Sequence, residues 1–131
     1  MLRVLVVDDD PNQGRSLAIG LRLEGFEVTT AAEARSALTL FDAGSFDAAI
    51  VDLMLPGVNG IELARQMRRR QPCTRVVLTS AYHLSEQQLR RTDCGVVGFI
   101  PKPFAIVELA VFLRAKIASA PDSVRKVASS R

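Results

Sequence analysis

The sequence predicts a doubly wound α/β domain, a five-stranded parallel sheet with five helices on its two faces. Three observations carry this. Short apolar runs rich in β-branched residues alternate with longer amphipathic segments between Leu2 and Ala118. The runs are continuously apolar, as in strands buried on both faces. Each is separated from the next by enough chain for a helical crossover, the connection that joins parallel strands. A length of 131 residues suits one such domain. We assign residues 1–120 to it, and 121–131, which lack a hydrophobic period, to a flexible C-terminal tail or linker stub.

The first strand is Leu2 to Val7. Asp10-Pro11-Asn12-Gln13 opens the first helix, with Asp10 as N-cap, Pro11 at the first helical position and Gln13 as the reciprocal cap. Leu17, Ala18 and Leu21 share one face of that helix, which stops near Gly25. Phe26 to Thr30 is the second strand. Glu33 to Ala43 is the second helix, with Ala34, Ala37, Leu38 and Phe41 inward. Phe46 to Val51 is the third strand and Pro56-Gly57 a turn. Ile61 to Arg70 is a helix with Ile61, Ala64 and Met67 inward. Val76 to Thr79, a weaker helix from Leu84 to Thr92, Val97 to Ile100 and a last helix from Ala105 to Ala118 complete the alternation. Between Phe104 and Ala118 only Glu108, Arg114 and Lys116 are charged. Ile106, Ala110, Leu113 and Ile117 suffice for a core stripe. Val107, Val111 and Phe112 then remain for a wide core contact or for a partner face.

Composition removes several classes of function. Hydrophobic residues make up 48% and charged residues 24%, unlike a disordered chain. No apolar run approaches the ~20 residues of a membrane span, and the N-terminus does not read as a signal peptide. The expected setting is cytoplasmic, without a membrane partner. Cys73 and Cys94 have neither disulfide nor metal-ligand spacing and read as space-filling thiols. A net charge of +3 raises the question of nucleic acid, but the basic residues are dispersed. Arg68 to Arg70 sit where a helix C-terminus favours cations. No sequence-specific nucleic-acid binding by this domain is expected.

In an open parallel sheet, ligands bind beyond the carboxyl ends of the strands. Here the first strand ends in Asp8-Asp9, the third in Asp52 and the fourth in Thr79-Ser80, while the fifth leads to Lys102. Crowded carboxylates repel one another, and a hard, oxygen-seeking divalent cation removes that cost. Mg²⁺ suits such a set because it binds one or two carboxylates and keeps several waters. Zinc is disfavoured, since His83 is the sole histidine. A carboxylate beside Mg²⁺, a lysine and a hydroxyl is equipped to accept a phosphoryl group. No glycine-rich phosphate loop points to a nucleotide.

Four segments carry a resemblance: Val4 to Pro11, Asp52 to Gly60, Thr79-Ser80-Ala81 and Lys102-Pro103-Phe104. In this order and spacing they resemble bacterial two-component response-regulator receiver domains, the CheY-like, flavodoxin-like fold, over about residues 2 to 118. The resemblance implies strand order 2-1-3-4-5. It also implies a phosphorylation-activated switch in a phosphorelay, with Asp52 accepting a phosphoryl group from a sensor histidine kinase or phosphotransfer protein. Asp8, Asp9 and Asp52 would hold Mg²⁺, Asp9 most directly, together with the backbone carbonyl of Met54. Ser80, with Thr79 as the alternative, would bond the phosphoryl group, and Lys102 would pair with it. The resemblance makes Lys102-Pro103 cis and places Phe99 as a switch aromatic, against a reading of Phe99 as plain core. Met54 and Tyr82 flank the attacking-water path with no acid or amide, which implies slow self-dephosphorylation. No other enzymatic activity is implied. The last strand and helix would form a homodimer or output-docking face. Two alternatives rank lower. A haloacid-dehalogenase-type phosphohydrolase fits Asp8-Asp9-Asp10 but lacks an acidic pair after the lysine strand. A non-phosphorylated receiver-like scaffold would normally lose an acid, the acceptor or the lysine.

Overall fold

A computed structural model describes residues 1–81 and 95–118. The elements are β1 (Arg3–Val7), α1 (Pro11–Leu23), β2 (Glu27–Ala31), α2 (Ala34–Ala43), β3 (Ala48–Asp52), β4 (Met54–Leu55), β5 (Val58–Asn59), α3 (Gly60–Arg70), β6 (Arg75–Ser80), β7 (Gly98–Pro101) and α4 (Ile106–Ala118). The main sheet has five strands in the order β2-β1-β3-β6-β7. Every neighbouring pair in it is parallel. Ranked along the chain within that sheet, the order is 2-1-3-4-5, as the resemblance implies. The helix expected over Leu84 to Thr92 lies outside the described residues, as do Tyr82, His83, Cys94 and residues 119–131.

The continuous apolar runs become strands covered on both faces. Alternate side chains of β1, β3 and β6 divide between two cores. Leu5, Val7, Val51 and Leu78 face α2 and α3 beside Phe41, Leu63 and Met67. Val4, Val6, Ile50 and Val77 face α1 and α4 beside Leu21, Leu109 and Leu113. Each fully buried large side chain contributes about 1.5–3 kcal/mol relative to exposure. These two layers hold the strands in one register and so fix where their carboxyl ends lie.

Local signals set the helix boundaries. The Asp10 side chain accepts a hydrogen bond from the Asn12 backbone N–H, and Pro11 opens α1. Asn59 caps α3 in the same way, accepting from the Ile61 N–H at 2.7 Å. Three expectations about packing change. In α3 Leu63 joins Ala64 and Met67 in the buried stripe, and Ile61 packs half-buried against the same core. In α4 Leu109 and Lys116 join Ala110 and Leu113 in the buried set, while Ile106 and Ile117 are half-buried against the same core. Lys116 belongs to that set because its ammonium lies 4.8 Å from the centre of the Phe112 ring, so its stem packs as an apolar chain. Cys73 is exposed rather than space-filling.

The segment after β3 also departs from the expected single turn. β4 and β5 form a small antiparallel hairpin around Pro56-Gly57, with Gly57 at φ +75°. Gly60 then starts α3 against the end of β3. A Cβ there would lie 2.4 Å from the Asp52 carbonyl oxygen and 2.7 Å from Leu53 Cα. Only glycine allows this approach, which the Gly60 N–H completes by donating to the Leu53 carbonyl at 2.9 Å. Gly60→Ala should therefore destabilise the chain by about 1–3 kcal/mol, the usual cost of overpacking. A urea-unfolding midpoint equal to that of the unaltered chain would contradict this.

Candidate functional site

Three strand ends meet at the carboxyl edge of the sheet. Asp8 follows β1, Asp52 ends β3, and Lys102 follows β7. Parallel pairing places β1 beside β3, and on its other side the β1–β2 ladder extends past the strand, the Asp8 N–H donating to the Ala31 carbonyl at 3.1 Å. The Lys102 N–H donates to the Ser80 carbonyl at 2.8 Å, which ties the lysine to the end of β6. The Lys102-Pro103 bond is cis.

The Lys102 ammonium lies 3.1 Å from Asp8 Oδ2 and 3.2 Å from Asp52 Oδ2. It also donates to Gln13 Oε1 at 2.7 Å. Its three N–H groups thus have three oxygen acceptors. The second oxygen of each buried carboxylate is held by backbone. Asp8 Oδ1 accepts from the Asp10 N–H at 2.9 Å, and Asp52 Oδ1 accepts from the Met54 N–H at 3.1 Å. Gln13 therefore turns to the lysine rather than serving as the reciprocal cap of α1. The capping-box pattern could not reveal this, because Gln13 and Lys102 are distant in sequence and meet only through the sheet.

Asp9 is exposed at the mouth of the site, while Asp8 and Asp52 are buried. One carboxylate oxygen from each of the three lies within 4.8 Å of the others. That span, the all-oxygen donor set and the buried position of two donors fit a single hard divalent cation. Thr79 pairs with Asp52 in register, and Ser80 sits one residue further along β6; both are buried. The Met54 side chain is exposed beside the carboxylate that its N–H holds. Phe99 is half-buried and packs against the core under α2 and α3.

Burial lowers the affinity of Lys102 for its proton, but hydrogen bonds and charge from Asp8 and then Asp52 outweigh it. The net effect raises its pKa above the usual 10.5.

Three clustered acids, two of them buried, with one lysine on the buried pair at the carboxyl edge of a doubly wound sheet, are the arrangement that the sequence resemblance implies. The comparisons agree with the geometry: residues 4–114 match the response regulator receiver domain, and the chain belongs to that family. Among curated proteins it is similar to the transcriptional regulatory protein TcrA of Mycobacterium tuberculosis, at 37% identity over 114 residues. That match covers 87% of this chain and 45% of TcrA, so the chain spans about half the length of this relative. Among solved structures, a CheY-like receiver domain protein of Methanospirillum hungatei superposes with a TM-score of 0.83 at 28% identity, covering 96% of this chain and 98% of the other. The Thermotoga maritima response regulator TrrA, solved in complex with Mg²⁺ and a beryllium fluoride, gives a TM-score of 0.79 at 32% identity, covering 89% and 99%. Among the described residues, no helix is long and apolar enough to cross a membrane.

The raised lysine pKa makes a signed prediction. Its pairing contributes stability in full below pH 10.5, the unfolded value, and that contribution is lost as pH rises through the higher folded value. In metal-free buffer, an NMR titration of the Lys102 side chain should give a midpoint above 10.5, and Asp8→Asn should lower it. A midpoint unmoved by Asp8→Asn would show that the ion pair does not set the proton affinity of the lysine.

Proposed function

We propose that Asp52 is the phosphoacceptor of a two-component relay and that a sensor histidine kinase or phosphotransfer protein is the donor. The observation that carries this is the shared lysine, 3.1 Å and 3.2 Å from the carboxylates of Asp8 and Asp52. An Asp52 carboxylate oxygen attacks the phosphorus of a phosphohistidine. The P–N bond breaks, its electron pair stays on the imidazole nitrogen, and that nitrogen takes a proton from solvent. Asp8, Asp9 and Asp52, with the Met54 backbone carbonyl, would hold Mg²⁺, which when bound offsets charge on the phosphoryl oxygens. Lys102 then exchanges a carboxylate oxygen for a phosphoryl oxygen, and Ser80 donates its hydroxyl to another. Phe99, on the strand that leads to Lys102, is the residue whose packing answers this exchange. No wider enzymatic activity is proposed, only self-phosphorylation from a small donor and slow self-dephosphorylation.

Intact mass after incubation with Mg²⁺ and acetyl phosphate tests the proposal. One phosphoryl group should appear on the unaltered chain and none on Asp52→Asn. Donor consumption that survives Asp52→Asn would indicate hydrolase chemistry at Asp8 instead, and no adduct at all would indicate a non-phosphorylated scaffold. Followed in time, the adduct should be long-lived, and Met54→Asn should shorten its life by offering an amide to orient water. An adduct that decays as quickly in the unaltered chain as in Met54→Asn would refute the lifetime reading.

The partner face is proposed to lie on α4 and β7 and to take a second copy of the chain. Val107 and Val111, one turn apart on α4, are 60% and 61% exposed, whereas Phe112 packs into the core under α1 and α4. Light scattering of the phosphorylated chain should report a dimer that Val111→Lys disrupts. A strictly monomeric phosphorylated form would count against the face.

A further inference from the structure

A cavity of about 340 Å³ lies on the α1–α4 face of the sheet and reaches the acid cluster at one end, through Asp8 and Lys102. Its volume falls at the lower end of the range of small-molecule sites, about 300–1,000 Å³. Val6, Leu17, Ile50 and Ile106 supply apolar walls, and the exposed Asn12 and Ser16 line it from α1.

One wall residue is polar and buried. Thr79 is only 3% exposed, and it lines the cavity. Side chains alternate along β6: Val77 faces the core of α1 and α4, Leu78 the opposite one, so Thr79 returns to the side of Val77. Its hydroxyl has no hydrogen-bond partner among the described residues. A buried hydroxyl left unpaired costs about 1–3 kcal/mol, which a partner inside the cavity would recover.

The charge of the cavity selects that partner. Lys102 could attract an anion, but its three N–H groups are already taken by Asp8, Asp52 and Gln13. Without a bound cation, three carboxylates against one ammonium make the adjoining end negative, so in the metal-free chain an anionic ligand would be repelled.

We propose that this cavity is a binding site for a small neutral organic molecule, with an apolar ring-sized body and one hydroxyl or carbonyl head that pairs with Thr79. Benzyl alcohol is a suitable probe, with toluene lacking the head and benzoate replacing it by a charge. The experiment is a methyl-NMR titration of the whole chain without Mg²⁺ or phosphodonor, so its outcome is independent of phosphorylation at Asp52. Benzyl alcohol should shift the methyl signals of Val6, Leu17, Ile50 and Ile106 saturably. Thr79→Val, which keeps the shape and removes the hydroxyl, should weaken its binding about three- to tenfold, the worth of one neutral hydrogen bond. In the unaltered chain, toluene and benzoate should bind more weakly than benzyl alcohol. The proposal is overturned if benzyl alcohol gives no saturable shift, or if Thr79→Val binds it equally well. Toluene binding as tightly would remove the role of the hydroxyl, and benzoate binding as tightly would remove the preference for a neutral ligand. Either overturns the proposal without requiring a folded variant.

Discussion

The arrangement depends on one ammonium group shared between two strand ends. Lys102 reaches Asp8 and Asp52 from beyond β7, and β6 lies between β7 and β3. Asp52 is two strand spacings away, about 10 Å, and Asp8, beyond β1, is three, and a lysine, with its four-carbon stem and three rotatable donors, is suited to reach across. Arginine would present a planar fork to acceptors that here come from three directions. The bridge has meaning only if the strands cannot slide, because a shift of one residue would turn Asp52 away from its partners. The two buried cores therefore do more than stabilise the chain. They hold three distant residues at hydrogen-bonding distance.

The same constraint explains the crowded backbone around Asp52. Its carboxylate is oriented by the Met54 N–H, and the Leu53 N–H donates to the Thr79 carbonyl at 2.8 Å. Gly60 presses the start of α3 against the Asp52 carbonyl, and the β4–β5 hairpin takes up the chain between them. A loop held at both ends presents a carboxylate in a fixed orientation, which a transfer reaction needs more than it needs reactivity of the group itself. The residues after β3 are thus part of the positioning apparatus.

Much of this was legible in the sequence, and the parts that were not share a cause. The alternation of strands and helices, the cap at Asp10 and the convergence of Asp8, Asp52 and Lys102 follow from periodicity and from where polar residues end apolar runs, whereas the strand order was implied by the resemblance to receiver domains. The Gln13–Lys102 bond was invisible, because a pattern within the first turn of α1 has a sufficient local explanation. The α4 stripe was only partly legible because nearly every residue in that helix is apolar, so periodicity carries little contrast and packing decides; Leu109 and Lys116 are buried beside the expected Ala110 and Leu113. The β4–β5 hairpin pairs only two residues per strand, too few for alternation to register.

Electrostatics gives this geometry its direction. With Asp8, Asp9 and Asp52 ionised, Lys102 balances one of three negative charges and already spends all its donors doing so. The site thus holds a deficit of positive charge that neither the lysine nor the backbone N–H groups can remove. A divalent cation held by the three carboxylates would meet that deficit. A phosphoryl group on Asp52 would deepen it again and offer Lys102 a stronger acceptor than a carboxylate shared with Asp8. On the proposed phosphorylation the lysine would give up one of its three oxygen acceptors, and the chain that follows it, from Pro103 into α4, would be tied to its new position. Under that proposal, a charge added at the end of β3 would be felt at the last helix through a single side chain and the backbone that carries it.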